Sequence, residues 1–165
     1  MLFRSFGAGQ RRWWAVVLAV LVATVGGKLF LPDAMKKASL TTKEIQPNSV
    51  GILWEPFSEE RLAAARKVGP VFIDFTAAWC PNCKTNEALV LNTKPIADAF
   101  KANRVTTLVA DWTDFDPAIT AKIKSFQRIG VPVYVFYFPG SPEPVVLPEI
   151  LTQSVILRHL DDNKS

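Results

Sequence analysis

Apolar and polar positions fall into blocks along this chain, and the period within each block predicts an element. Between Trp13 and Gly27 no residue is charged, and Leu29-Phe30-Leu31 carries the apolar run past Lys28. A helix from Trp13 to Leu31 would rise about 28 Å, close to the thickness of a hydrocarbon core. Trp13 and Trp14 suit one interface, and Lys28 can snorkel to the other. The pattern therefore predicts a basic leader at residues 1–12 and a membrane signal-anchor at 13–31. A cleaved export signal shares the pattern, with Val25-Gly26-Gly27 as its cleavage site, but the run is long for one and lacks a clean Ala-x-Ala. Gln10-Arg11-Arg12-Trp13 is a poor context for twin-arginine export. Residues 32–51 are polar and aperiodic, which reads as a tether.

Residues 52–163 read as one α/β domain. Ile52-Leu53-Trp54 is a short strand. Ser58 caps a helix with Glu59 and Glu60 in its first turn, stopped by Gly69-Pro70. Val71 to Phe75 is almost continuously apolar, as in a strand buried on both faces. A helix follows, opened by Trp79-Cys80-Pro81-Asn82-Cys83-Lys84. Val105 to Ala110 is the next strand. Asp116-Pro117 starts a helix that puts Ile119, Ile123 and Phe126 on one face. Val133 to Phe138 is strongly strand-like, Pro139 to Pro142 turns, and Val145 to Leu147 returns as an edge strand. A last helix spans Ser154 to Asp161. The order βαβαβαββα predicts a mixed sheet covered on both faces.

The formal net charge of +4 suggests nucleic acid until the cations are placed. Arg4, Arg11, Arg12, Lys28, Lys36 and Lys37 all flank the apolar span, where they bear on membrane topology. No basic helix or aromatic-basic interleaving remains elsewhere, so no nucleic-acid partner is expected. Cations follow the span about as densely as they precede it, so charge alone does not orient it. A short basic leader is readily kept inside while the domain behind the span is exported, and that orientation is adopted.

There are two cysteines, three apart. A disulfide scaffold would scatter more of them, and so small a loop removes little chain entropy. A tetrahedral zinc site would need two more ligands, and the only histidine, His159, is far along the chain. No metal or cofactor is expected. What remains is redox chemistry. With Cys80 at the N-cap and Cys83 at the third helical position, the sulfurs can meet, and unpaired N–H groups favour a Cys80 thiolate. Thiols so placed fall to a pKa of about 3.5–7.5. Pro81 fits the first helical position, where an N–H is not needed. Cys80 is thus read as the exposed nucleophile and Cys83 as the resolving thiol.

Asp74 interrupts an apolar strand six residues before Cys80. Burial would raise its pKa and make it a proton acceptor for Cys83, unless it sits at a wet strand end. Glu87, four residues after Cys83, either tunes the same thiol or lies exposed. Trp79 shields the nucleophile, fills the core, or does both. Few X–Pro bonds are cis, so Gly130-Val131-Pro132 alone does not predict a cis bond at Pro132.

VFIDFTAAWCPNCK resembles the active-site block of thioredoxins, and Gly130-Val131-Pro132 resembles their cis-proline loop. Together with Trp54-Glu55-Pro56, Ala110-Asp111-Trp112-Thr113, GVPVYVFY and Val146-Leu147-Pro148-Glu149, these blocks are similar to the carboxy-terminal domain of the DsbD thiol:disulfide interchange family. The resemblance covers about residues 52 to 162. It implies a thioredoxin fold, Cys80 as nucleophile, Cys83 as resolving thiol, a cis Pro132 beside the sulfurs and Asp74 as the buried carboxylate. It also implies a reductase of protein disulfides at the inner membrane, with the domain in the periplasm. That family usually carries a multi-span electron-conducting domain and an amino-terminal domain; one span stands for both here, so a separate protein must donate electrons. Pro81-Asn82 differs from thioredoxin's Gly-Pro and bears on the direction of transfer. The alternatives are an oxidase or isomerase on the same fold, or a binding or assembly module whose dithiol is incidental.

Overall fold

The computed structural model describes residues 48–163. The leader, the apolar span at 13–31 and the tether up to residue 47 lie outside the described residues. Among the described residues, no helix is long and apolar enough to cross a membrane. The described end of the expected tether is a turn, in which the Asn48 side chain accepts from the N–H groups of Val50 and Ile52 and donates to Asn92 Oδ1 at 2.6 Å.

The described residues form an α/β domain. Its strands are β1 (Trp54–Pro56), β2 (Val71–Thr76), β3 (Thr106–Asp111), β4 (Val133–Tyr137) and β5 (Val145–Val146). Its helices are α1 (Glu59–Ala65), α2 (Pro81–Asn86), α3 (Lys94–Ala102), α4 (Pro117–Ser125) and α5 (Gln153–Asp162). The sheet order is β1-β3-β2-β4-β5, with β3 parallel to both β1 and β2, and the β2–β4 and β4–β5 pairs antiparallel. All six residues of central β2 are buried, which explains its nearly unbroken apolar sequence. Alternation along the strands then divides the core. Phe72, Tyr134 and Phe136 pack with Val90, Leu91, Ile96, Phe100, Ile156 and Leu160 on one side. Val71, Ile73, Phe75, Val133 and Val135 pack with Leu62, Ala65 and Ile123 on the other. Asp74 and Thr76 share the Phe72 parity, so both belong to the face carrying the cysteine helix.

Local signals set most boundaries. Ser58 Oγ accepts from Arg61 N–H, Asp116 accepts from the N–H groups of Ala118 and Ile119, and Thr152 accepts from Val155 N–H. Two differences from the sequence reading have a clear cause. The first strand runs from Trp54 to Pro56, because Trp54 is the residue that registers with Thr107 of β3; Ile52 instead closes the Asn48 turn and buries its side chain. The segment after the cysteines is also two helices. α2 widens into a π-turn over Glu87–Leu91 and ends at Asn92, and α3 begins at Lys94. Pro95 has no N–H to continue the first helix but fits the first turn of a second.

Candidate active site

Cys80 and Cys83 are joined by a disulfide, with their Cα atoms 5.3 Å apart. Cys80 has extended backbone and caps α2, Pro81 opens the helix, and the Cys80 sulfur accepts from Cys83 N–H at 3.2 Å. When the bond is reduced, that N–H and the start of the helix are placed to stabilise a Cys80 thiolate. The Val131–Pro132 peptide is cis, Pro132 is buried, and the Val131 carbonyl oxygen lies 3.8 Å from Cys80 Sγ. Exposure separates the two sulfur residues only slightly. Cys80 is 4% exposed and Cys83 fully buried, so the openly exposed Cys80 read from the sequence is corrected. Val131 packs against the pair.

The sheet face that carries the cysteine helix also holds a polar cluster. Asp74 is 3% exposed, and its Oδ1 has no hydrogen-bond partner within the described protein. Burial is the main cause that lifts its pKa from the ordinary 3.8 to about 8; the Glu87 charge adds to the rise and Lys84 opposes it. Glu87 is therefore not a free surface glutamate. It accepts from Thr76 Oγ1 at 2.6 Å and from Lys84 Nζ at 2.8 Å on both oxygens. Tyr134 stands directly across from Asp74 in the β2–β4 register. Burial and the Asp74 charge push its phenol up. Asn86 donates to Tyr134 Oη at 3.0 Å and to the Glu149 carbonyl at 2.7 Å. These bonds tie α2 to β4 and to the segment after β5.

Trp79 is not a core residue. It is 49% exposed, donates through Nε1 to the Thr113 carbonyl at 3.0 Å, and stacks on Phe115 with centroids 5.5 Å apart. Phe115 is 58% exposed and holds a left-handed φ of 57°. Trp112 lies edge-on to Phe115 at 4.9 Å and anchors its own indole N–H on Thr120. The result is an aromatic ledge beside the residue preceding Cys80. No cluster of metal-ligating side chains occurs among the described residues.

The structure thus brings Cys80, Cys83 and Pro132 together and places Asp74 and Glu87 in one cluster, with Trp79 at the rim. The sequence reading missed Thr76, Asn86, Tyr134 and Phe115. Thr76 had a signal, since it follows Asp74 by two on a strand and so shares its face. Asn86 and Tyr134 had none, because their pairing depends on a contact between α2 and β4, far apart in sequence.

A family model described as thioredoxin-like matches residues 53–139. The thiol:disulfide interchange protein DsbD 1 of Pseudomonas aeruginosa is 35% identical over 83 residues, covering 50% of this chain and 14% of that protein. DsbD of Ralstonia nicotianae is 31% identical over 107 residues, or 61% of this chain and 17% of that protein. The chain therefore matches less than a fifth of the length of either relative. Among solved structures, the carboxy-terminal domain of Neisseria meningitidis DsbD in its reduced form superposes with a TM-score of 0.52 at 23% identity, covering 65% of this chain and 97% of that one. At that identity the likeness shows the fold.

The buried carboxyl makes stability depend on pH. A carboxyl whose pKa folding raises contributes stability that is complete below its unfolded value near 3.8 and is lost as pH rises through about 8. Each unit of separation is worth about 1.4 kcal/mol. Oxidised Asp74→Asn should therefore be more stable than the parent at pH 8 by more than about 1 kcal/mol, with the gain vanishing near pH 4. Urea titrations at the two pH values check it, and a variant less stable at pH 8 would mark Asp74 as a structural carboxylate.

Proposed function

Because this chain belongs to the thioredoxin-like family, we propose that it exchanges disulfides with other proteins through Cys80 and Cys83, acting as a reductase. The observation that carries this reading is a buried carboxyl without a partner for one oxygen, in the strand that leads directly to a helix-capping cysteine pair. Such a carboxyl costs stability and gives none in return, so its presence argues for chemistry.

The steps balance as follows. The Cys80 thiolate attacks one sulfur of a client disulfide, forms a mixed disulfide and releases one client thiolate, which takes a proton from solvent. Cys83 gives its proton to the Asp74 carboxylate and attacks Cys80 Sγ, releasing the second client thiolate. Two electrons have passed to the client, and Cys80–Cys83 is left oxidised. A separate dithiol protein must then reduce it, for which a membrane or thioredoxin-type electron donor is proposed. The aromatic ledge of Trp79 and Phe115 offers apolar contact to the client segment beside its disulfide. Glu87 acts on this chemistry through its charge near Asp74, and Pro132 through the backbone it holds beside Cys80.

The proposed setting is the inner membrane, with residues 1–12 as leader, 13–31 as a single-pass anchor, 32–51 as tether and residues 52–163 in the periplasm. The uncharged run from Trp13 to Gly27 supports it. Clients and donor are then proteins of that compartment.

In the reduced protein, brief iodoacetamide treatment at neutral pH should alkylate Cys80 before Cys83, as read by mass spectrometry. A Cys83→Ala variant should accumulate a mixed disulfide with an oxidised client protein on Cys80, whereas Cys80→Ala should not. Dominant labelling of Cys83 would reverse the two roles. Equilibration with glutathione fixes the direction: a reductase should settle at or below about −220 mV, and a strong oxidant near about −120 mV.

Membrane fractions should retain the chain through an alkaline carbonate wash, with added protease reaching the domain from the external side alone. A soluble form beginning near Lys28 would mean that the segment is a cleaved signal.

A further inference from the structure

Glu87 is held from two sides, and the two holders pull in different directions. Lys84 lies one turn back on α2, its side chain is 47% exposed, and its ammonium bonds both carboxylate oxygens from the solvent side. Thr76 is 6% exposed and sits at the end of β2. It is rigidly placed, since its carbonyl accepts from Trp112 N–H at 2.8 Å while its hydroxyl donates to Glu87 Oε1 at 2.6 Å. Thr76 follows Asp74 by two in an extended strand, so both side chains stand on the same face of the sheet. The hydroxyl therefore fastens a carboxylate of the cysteine helix to the face that holds the buried acid.

We propose that Thr76 is a positioning residue for the dithiol chemistry: its hydroxyl holds the Glu87 charge toward Asp74 and thereby governs how readily Asp74 takes the Cys83 proton. The proposal rests on the disulfide-exchange reading for its purpose, and on the geometry alone for its electrostatic content. Without the hydroxyl, the remaining anchor of Glu87 is the half-exposed Lys84, and the carboxylate follows it outward. Other charged or titratable groups near Asp74 are few. Lys84 and Glu87 face it from the cysteine helix and Tyr134 from β4; its β3 neighbour Val109 brings no charge, and Asp111 lies opposite Thr76 at the strand end. Because Glu87 raises the Asp74 pKa and Lys84 lowers it, losing the Thr76 anchor should lower it.

The test is a carbon-13 NMR titration of the Asp74 carboxyl in the oxidised full chain in detergent. In that form the cysteines do not titrate, so the midpoint belongs to a simpler set of groups. Thr76→Val, nearly isosteric, should lower the midpoint by about half a pH unit or more, and Thr76→Ser should restore it. Glu87→Gln should lower it similarly, and the double variant should go no lower than Glu87→Gln alone, since both changes remove one interaction. Thr76→Ala carries the same expectation should the valine variant not fold. A Thr76→Val midpoint equal to the parent's, or a double variant showing the sum of the two shifts, would overturn the proposal. A parent protein that titrates as described yet cannot reduce protein disulfides would instead sink the functional reading and leave the Thr76 assignment standing.

Discussion

Removing the Asp74 carboxylate from water in the central strand of the sheet is the constraint around which this domain is arranged. Taking a charge out of water costs several kcal/mol unless it is paired or neutralised. Here one oxygen has no protein partner, and the group responds by holding its proton to about pH 8. An acid poised so close to neutrality can both hold and release a proton under working conditions. That property gives it value under the proposed exchange chemistry, in which Cys83, fully buried, passes its proton to an internal base.

The rest of the fold tolerates this cost by burying large apolar groups on both sides of the same strand. Phe72, two residues before Asp74, packs against Trp54, Phe100, Tyr134 and Phe136, and each fully buried phenylalanine contributes about 1.5–3 kcal/mol. The polar cluster is confined to the end of β2 nearest the cysteines, where Thr76, Glu87, Asn86 and Tyr134 form hydrogen bonds. Glu87 begins the π-turn that ends the cysteine helix, and that wider turn sits where the helix changes direction before Pro95. The chemistry and the break in the helix thus share one stretch of chain.

Much of this was legible in the sequence because local rules decide it. The apolar run Val71 to Phe75, the caps at Ser58 and Asp116, and the turn signals around Pro139-Gly140 each depend on neighbours within a few residues. The cysteine pair and Asp74 were legible because their residue types are costly at those places in a strand and a helix start. What was not legible came from contacts between distant segments. The start of β1 is set by its register with β3. The bonds of Asn86 follow from the packing of α2 against β4, and the stacking of Phe115 on Trp79 follows from two loops meeting at one end of the sheet. The low exposure of Cys80 follows from its packing with Ala77, Cys83 and Val131, and the Val131 contact joins segments that residue spacing does not relate.

The central claim is that Asp74 serves Cys83 as proton acceptor, and stopped-flow thiol exchange tests it most directly by separating the first attack from the resolution of the mixed disulfide. Asparagine keeps the shape of Asp74 but cannot take the proton, and the proposed source of the Cys80 thiolate is the helix start. In Asp74→Asn, resolution should slow about a hundredfold or more, the usual contribution of a general base, while the first attack changes little. Equal slowing of both steps, or no slowing of resolution, would contradict the account.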